Sequence, residues 1–281
     1  MKKIFEVIGL ISLVCFSFFY TEKISTVIRG NDDLLKQIEE IEEQYKIEAI
    51  DAIIDGNTII PGVSGSQIDV KSSYKKMKKV NTFNSNLLVY EDIKPKVSVN
   101  GVYDKYIISG NKNKKEVSLL FLVENRTDID KVITTLKKYD IKATFYVDGN
   151  WFEQNNEKIT SLIEDGNVIG NLGYNYQYNT SGISWMNAIV TKIGNQNATY
   201  CYVETENEET LNICNNNRSY TIKPNLVVDK NPLITIKKNI TNGSIISLKI
   251  NDQLNSELPL IVEYIHSKDL KMVTLADLLD E

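Results

Sequence analysis

The sequence predicts an α/β body built on a parallel sheet, and three observations carry that expectation. From Lys114 onward, short apolar runs of strand length alternate with stretches of helical periodicity, joined by short connections. The first run, Val117–Val123, is apolar almost throughout, as a strand covered on both faces must be. The 281 residues are 42% hydrophobic and 25% charged, an ordinary folded balance that excludes a disordered chain, a collagen-like repeat and a multi-span membrane protein. Such strand–helix units are either doubly wound or closed into a barrel. Both architectures gather function at the C-terminal ends of the strands.

Met1-Lys2-Lys3 precedes an apolar run from Ile4 to Tyr20 broken only by Glu6, close to the shortest length that spans a bilayer. Bulky residues from Phe16 to Tyr20 argue against a cleavage site, and Val14 before Cys15 against a lipoprotein signal. Residues 1–23 therefore read as an uncleaved membrane anchor. Lys2 and Lys3 stay in the cytoplasm, and the C-terminal body lies outside a single-pass cell-membrane helix. Residues 24–48 read as a helical stalk. Asp32 and Asp33 sit in its first turn, where the helix dipole favours negative charge. Leu34, Leu35, Ile38, Ile41 and Tyr45 form a stripe opposite Glu39, Glu40, Glu42 and Glu43.

Residues 49–112 read as a small α+β module. It holds a strand at Asn57–Ile60 followed by Pro/Gly/Ser turn residues, and a short helix over Ser72–Lys79 with Tyr74 and Met77 on one face. Strands follow at Leu87–Tyr90 and Tyr106–Ile108. No catalytic constellation falls in this module.

In residues 113–281, Thr127 is placed to cap a helix carrying Ile129, Val132, Ile133 and Leu136. Ala143–Val147 is the second strand. The next helix carries Ile159, Leu162 and Ile163 and stops at Gly166, a residue that accepts a left-handed cap. Val168–Asn171 is a strand, Trp185, Ala188, Ile189 and Ile193 mark a helix, and Ala198–Val203 a further strand. Ser244–Ile250 is a strand, Leu258, Ile261, Val262 and Ile265 a helix, and Lys271–Thr274 the last strand.

The fragments Ala143–Trp151, Ile159–Ile163, Gly166–Tyr176, Gly243–Leu248, Glu257–Pro259 and Met272–Leu279, in that order, resemble the NodB-type polysaccharide deacetylases. The resemblance covers roughly Lys114 to Leu279. It implies a distorted, incomplete (β/α) barrel that hydrolyses acetyl groups from sugars such as those of peptidoglycan or chitin.

The same alignment implies that the chemistry is gone. The family ends its first strand in Thr-Phe-Asp-Asp-Gly, supplying a general base and a metal ligand, where this chain has Leu120-Phe121-Leu122-Val123-Glu124. The base position falls on Leu122, and the metal positions on Val123, Leu172 and Tyr176. The arginine that orients the base falls near Tyr200, and the histidine that protonates the leaving amine on Lys249. No catalytic residue, metal ligand or cofactor is expected, and the chain reads as a pseudoenzyme. An active carbohydrate deacetylase is one alternative, and a protein-interaction scaffold without glycan binding is the other.

Other chemistries find little footing. The single histidine, His266, sits near a helix end and excludes any paired-histidine metal site. Cys201 and Cys214 show no CxxC spacing, which excludes a zinc ribbon or thioredoxin-like motif. Glu124 and Asp148 end strands and suit a glycosidase pair, though such carboxylates more often cap helices or hold loops. The net charge of −5 and only three arginines exclude a basic nucleic-acid surface, and Lys75–Lys79 reads as a solvated face. Trp151, Asn171, Tyr174, Tyr176 and Tyr200 are the candidate glycan-binding residues, aromatic faces and an amide suited to a sugar ring. The competing reading has Trp151 and Tyr200 filling core space. The expected partners are a cell-wall polysaccharide or an envelope protein, with the membrane engaged through the N-terminal helix.

Overall fold

The computed structural model describes residues 32–194 and 196–281. The expected membrane span at residues 1–23 lies outside them, and among the described residues no helix is long and apolar enough to cross a membrane. The strands in chain order are β1 (Ile53–Asp55), β2 (Thr58–Ile60), β3 (Gly65–Ile68), β4 (Tyr90–Ile93), β5 (Tyr106–Ile107), β6 (Glu116–Val123) and β7 (Thr144–Val147). They continue as β8 (Val168–Asn171), β9 (Thr199–Tyr202), β10 (Ser219–Ile222), β11 (Leu226–Val228), β12 (Ile245–Lys249) and β13 (Lys271–Val273).

Contacts divide the chain into two compact units at places other than the sequence-derived boundaries. One joins the stretch up to Ala49 with Ser64–Lys94, and the other joins Ile50–Val63 with Pro95–Glu281. In the first unit the helix Asp33–Tyr45 is capped by Asp32, whose carboxylate accepts the Leu34 and Leu35 amides. Its Ile38 is buried against Ile68 of β3 and Met77 of the helix Val70–Met77. The expected stalk is thus a packed part of this unit, because its apolar stripe finds a partner within it. The strand expected at Leu87–Tyr90 is instead a 3₁₀ turn, Ser85–Leu87, capped by Asn84, and β4 begins only at Tyr90.

The second unit carries a curled, open sheet in the order β1-β2-β5-β10-β9-β8-β7-β6-β12-β11, with β13 also on β6. All its pairings are parallel except β1 with β2. β6 is the branch point. Leu120 pairs with both Thr144 of β7 and Ser247 of β12, while Ser118 pairs with both Ile245 of β12 and Val273 of β13. β13 and β7 therefore share one edge of β6, the first along its start and the second along its end.

Because side chains alternate along a strand, β6 feeds two cores. Val117, Leu119, Phe121 and Val123 enter a cluster with the helix residues Leu136, Leu258 and Ile261. Leu120 and Leu122 point to the other face, among Tyr146, Tyr200 and Tyr202 and the Leu275 and Leu278 side chains of the helix Leu275–Leu279.

Three local expectations shift. The helix begins at Asp130, with Ile129 at its cap position and no side-chain capping bond. Thr127 instead turns back, its amide donating to the Glu124 carbonyl at 3.0 Å. The helix Thr180–Gly194 buries Ile183, Met186 and Val190, leaving Trp185 and Ile193 exposed. The helices Glu208–Asn216 and Pro232–Asn239, with β10 and β11, fill stretches where the sequence pattern is silent.

Cys201 of β9 and Cys214 of the helix Glu208–Asn216 form a disulfide across a sequence separation of 13. Loop-closure entropy assigns a bond of this span about 3 kcal/mol of stabilisation. Cys214→Ser, or reduction with dithiothreitol, is expected to lower the urea midpoint accordingly. An unchanged midpoint would remove this bond from the stabilising set.

Candidate functional site

Parallel strands end together, so one rim collects Leu122 and Val123 ending β6 with Glu124 next to them, Asp148 after β7, Leu172–Tyr176 after β8, Glu204 after β9 and Lys249 ending β12. The middle of that rim is hydrocarbon. Leu122 is 3% exposed and Leu172 is fully buried, both in the inner core. Val123, also fully buried, faces the helix-covered core. None of the three carries a lone-pair atom in its side chain, and the Tyr176 hydroxyl already donates a hydrogen bond to Glu124. These residues do not fit a divalent cation, which takes oxygen, nitrogen or thiolate ligands. Among the described residues no group of three His, Cys, Asp or Glu is placed to share an ion.

Beside this apolar patch, Glu124 is the hub of a small polar cluster. Its Oε1 accepts the Tyr176 hydroxyl at 2.8 Å and pairs with Lys249 Nζ at 2.9 Å. Partial burial pushes the Glu124 carboxyl up, but the bonds from Lys249 and Tyr176 outweigh it and hold the group below its ordinary value. Glu124 raises Lys249 in turn, with Asp229 and Glu204 adding to the effect. Burial first, then Glu124, drives the Tyr176 phenol far above the usual tyrosine range.

The loop that delivers Tyr176 is strained. Gly173, Asn175 and Tyr176 all have positive φ, at 68°, 52° and 61°. A left-handed conformation costs a residue with a side chain roughly 1–2 kcal/mol, and it persists only where the surroundings enforce it. Here Tyr174 and Gln177 exchange backbone bonds at 3.0 Å each. The Asp148 carboxylate accepts the Asn175 amide and caps the helix Gly149–Gln154 through the Asn150 amide at 2.9 Å. Asp148 therefore works as a cap and loop anchor, and Glu124 as an ion-pair partner. The glycosidase pairing of these two finds no free carboxylates.

The aromatic candidates separate. Tyr176 is 41% exposed at the rim. Tyr174 lays its ring over Gly149, leaving no room there for a β-carbon, and donates its hydroxyl to Glu153 at 2.7 Å. Asn171 is buried, its Oδ1 accepting the Gly173 amide at 2.7 Å. Trp151 is a core residue, correcting the rim expectation. It packs in the helix-covered core, and its indole N–H donates to the Thr127 carbonyl at 2.9 Å. Tyr200 is also buried, in the first half of β9 and away from this rim.

Sequence reasoning did not assign Tyr178, Tyr202 and Ser247 to the site. The Tyr178 hydroxyl donates to the Asn171 carbonyl at 2.7 Å and accepts the Tyr202 amide at 2.9 Å. This joins β8 to β9, whose own ladder pairs only Asn171 with Cys201. Tyr202 Oη and Ser247 Oγ lie 2.8 Å apart inside the sheet. A serine between Ile246 and Leu248 in a buried strand was the available signal.

Residues 109–219 match the family model for polysaccharide deacetylase. The chain is 33% identical over 153 residues to the uncharacterized protein YlxY of Bacillus subtilis strain 168, a match taking in 54% of this chain and 48% of that one. The match thus spans about half the length of that curated relative. Among solved structures the chain is similar to wild-type BA3943, a CE4 family pseudoenzyme from Bacillus anthracis. The TM-score is 0.68 at 23% identity, covering 89% of this chain and 96% of that one. It is also similar to the Bc1960 peptidoglycan N-acetylglucosamine deacetylase, at TM-score 0.56 and 20% identity, covering 62% and 92%. These likenesses establish the fold as the CE4 deacetylase-like α/β type with a curled half-barrel sheet.

Four buried phenols make the fold sensitive to alkali. Burial is the main force raising Tyr146, Tyr178, Tyr200 and Tyr202 above the ordinary value of 10.0. The native state then keeps protons that the unfolded chain releases near that value. Stability from this source is complete below about pH 10 and falls as pH rises further. Ultraviolet titration should show these four ionising only together with loss of structure. Reversible ionisation of all the tyrosines at the ordinary value in the folded protein would contradict this.

Proposed function

We propose, from the premise that residues 109–219 carry a degenerate polysaccharide deacetylase domain of the NodB type, that the protein is a pseudoenzyme that binds cell-envelope glycan without hydrolysing it. The observation that carries this reading is the hydrocarbon at Leu122, Val123 and Leu172. A bound metal lowers the pKa of water from 15.7 to about 7, and a positioned base contributes roughly 10²–10⁴-fold. Side chains without lone pairs supply neither.

Recognition is assigned to the rim beside that patch. Tyr176 offers an exposed ring face, and Glu124 and Lys249 offer an acceptor and donors for sugar hydroxyls. Trp151 and Tyr200 have no part in this surface. An extracytoplasmic location is part of the proposal. The Cys201–Cys214 disulfide supports it, since such bonds persist in oxidising compartments, as does the apolar run Ile4–Tyr20 read as an anchor. The structural similarity to Bc1960, a peptidoglycan N-acetylglucosamine deacetylase, makes peptidoglycan the first glycan to try.

Metal analysis and a deacetylation assay test the loss of chemistry. The purified protein should hold no stoichiometric zinc or cobalt, and should release acetate from acetylated oligosaccharides at the blank rate when either metal is added. Turnover above blank would restore the active-enzyme reading. Sedimentation with insoluble peptidoglycan tests recognition. Wild type should co-sediment, and Tyr176→Ala should reduce retention several-fold with its melting temperature little changed.

A further inference from the structure

The lysine run Lys75–Lys79 gains a setting in the first unit that the sequence alone does not supply. Lys71 and Lys75 stand on the outward side of the helix Val70–Met77, whose inner side buries Ser73 and Met77. Lys76, Lys78 and Lys79 gather at its end, all exposed, next to Val80, which is 55% exposed. Lys78 Nζ pairs with Asp32 Oδ2 at 2.7 Å, and the Tyr74 hydroxyl donates to the same oxygen at 2.7 Å. The end of the lysine-bearing helix is thereby locked to Asp32, the first of the described residues.

Charge is segregated around this lock. Residues 32–38 and 69–79 carry six lysines and three aspartates. Asp32 is taken by Lys78, and Asp69 caps the lysine-bearing helix by accepting the Ser72 amide at 2.9 Å. Asp33 stands in the first turn of the helix Asp33–Tyr45. Among the described residues the ammonium groups of Lys75, Lys76 and Lys79 make no hydrogen bond or ion pair. Glu39, Glu40, Glu42 and Glu43 lie roughly 10–17 Å along their helix from Asp32 and pair with none of these lysines. Like charges four residues apart on a helix repel, so Lys71, Lys75 and Lys79 contribute nothing favourable to the unit by their charge.

We propose that this lysine face lies against an anionic phospholipid surface and orients the first unit there, which rests on the reading of Ile4–Tyr20 as a membrane anchor. Eleven residues, Thr21 to Asn31, separate that run from Asp32, and even fully extended they reach only about 40 Å. The lysines beside Asp32 are therefore held near whatever surface the run enters. An anionic lipid surface attracts lysines within about a Debye length, about 8–10 Å at physiological ionic strength. Val80 adds an apolar side chain for the headgroup boundary. A soluble anionic polymer would offer similar charge, but gives no reason for the cluster to sit at the anchor end of the unit.

Lysine acetylation of the full chain on vesicles tests this. The chain is floated with vesicles of phosphatidylcholine, or of phosphatidylcholine with phosphatidylglycerol, and labelled with a membrane-impermeant reagent. Mass spectrometry follows Lys75, Lys76 and Lys79 relative to Lys230 and Lys238 of the second unit. With phosphatidylglycerol at low salt the three should react about threefold more slowly than with phosphatidylcholine alone. The difference should vanish at about 1 M salt, where the Debye length falls to about 3 Å. Lys75→Glu combined with Lys79→Glu should remove the protection of Lys76, with flotation on phosphatidylcholine and the melting temperature unchanged. Flotation with both lipids but equal labelling would overturn the proposal and leave the anchor reading standing. Flotation with neither would overturn both. Binding to phosphatidylglycerol vesicles alone, reversed by salt and by the double substitution, would support the lysine face on lipid and remove the anchor. Protection by soluble polyphosphate but not by phosphatidylglycerol would overturn the lipid assignment in favour of an anionic polymer.

Discussion

Burial of β6 on both faces is the constraint on which the rest of the second unit depends. Its alternating side chains fill two cores at once, and its edges carry three other strands. A strand so placed strongly favours apolar residues, and its one buried hydroxyl, Ser118, has no hydrogen-bond partner among the described residues. In the polysaccharide deacetylases that this sequence resembles, the end of that strand carries two carboxylates, which burial would oblige the protein to compensate. Leu122 and Val123 dispense with that need. Burying a side chain of this kind stabilises by about 1.5–3 kcal/mol. The apolar end of β6 and the continuity of the two cores are therefore one structural fact. For the same reason Leu122→Asp would set a carboxylate among Tyr146 and Leu172, beside Lys249, whose ammonium is already bound to Glu124.

How much of this was legible in the sequence follows from where the physics leaves periodic marks. β6, β7, β8 and β12 were readable because burial on both faces forces continuous apolar runs. The helix Asp252–Ser267 was readable from its regular stripe. The helix Glu208–Asn216 was not, because it buries only Leu211 and Cys214 among polar residues. The Thr180–Gly194 helix was found in the wrong phase, since Ile183, Met186 and Val190 compete with Trp185, Ile189 and Ile193 for the inner face. The disulfide pairing had no local signature. Cys201 and Cys214 are 13 residues apart in sequence, and only the packing of a helix that sequence had not revealed brings them together.

The apolar residues Leu122, Val123 and Leu172 were legible from the resemblance, but the polar cluster beside them was not. Glu124 stood out as a carboxylate at a strand end, and its partners Tyr176 and Lys249 were each noted for a different family role. Their meeting depends on the left-handed turn at Asn175 and Tyr176, a backbone choice that no side-chain pattern encodes. Rim aromatics were misjudged for a related reason. Period-two alternation says which face a strand residue takes, but it says little about how far along the strand that residue lies. Tyr200, expected at the rim, lies in the inner core near the end of β9 opposite the cleft.

The electrostatics of the cluster argue in the same direction as the lost ligands. General acid–base catalysis works best when the groups involved have pKa values near the working pH. Here Glu124 is held below its ordinary value, and Lys249 and Tyr176 are driven above theirs, so all three move away from neutrality. Each shift arises because the groups satisfy one another. A carboxylate bonded to an ammonium and a phenol has little basicity left to lend a water molecule, and the ammonium has little acidity to lend a leaving group. What such a cluster keeps is a fixed pattern of charge and hydrogen-bonding capacity beside an exposed ring. That pattern is the basis of the glycan recognition proposed above.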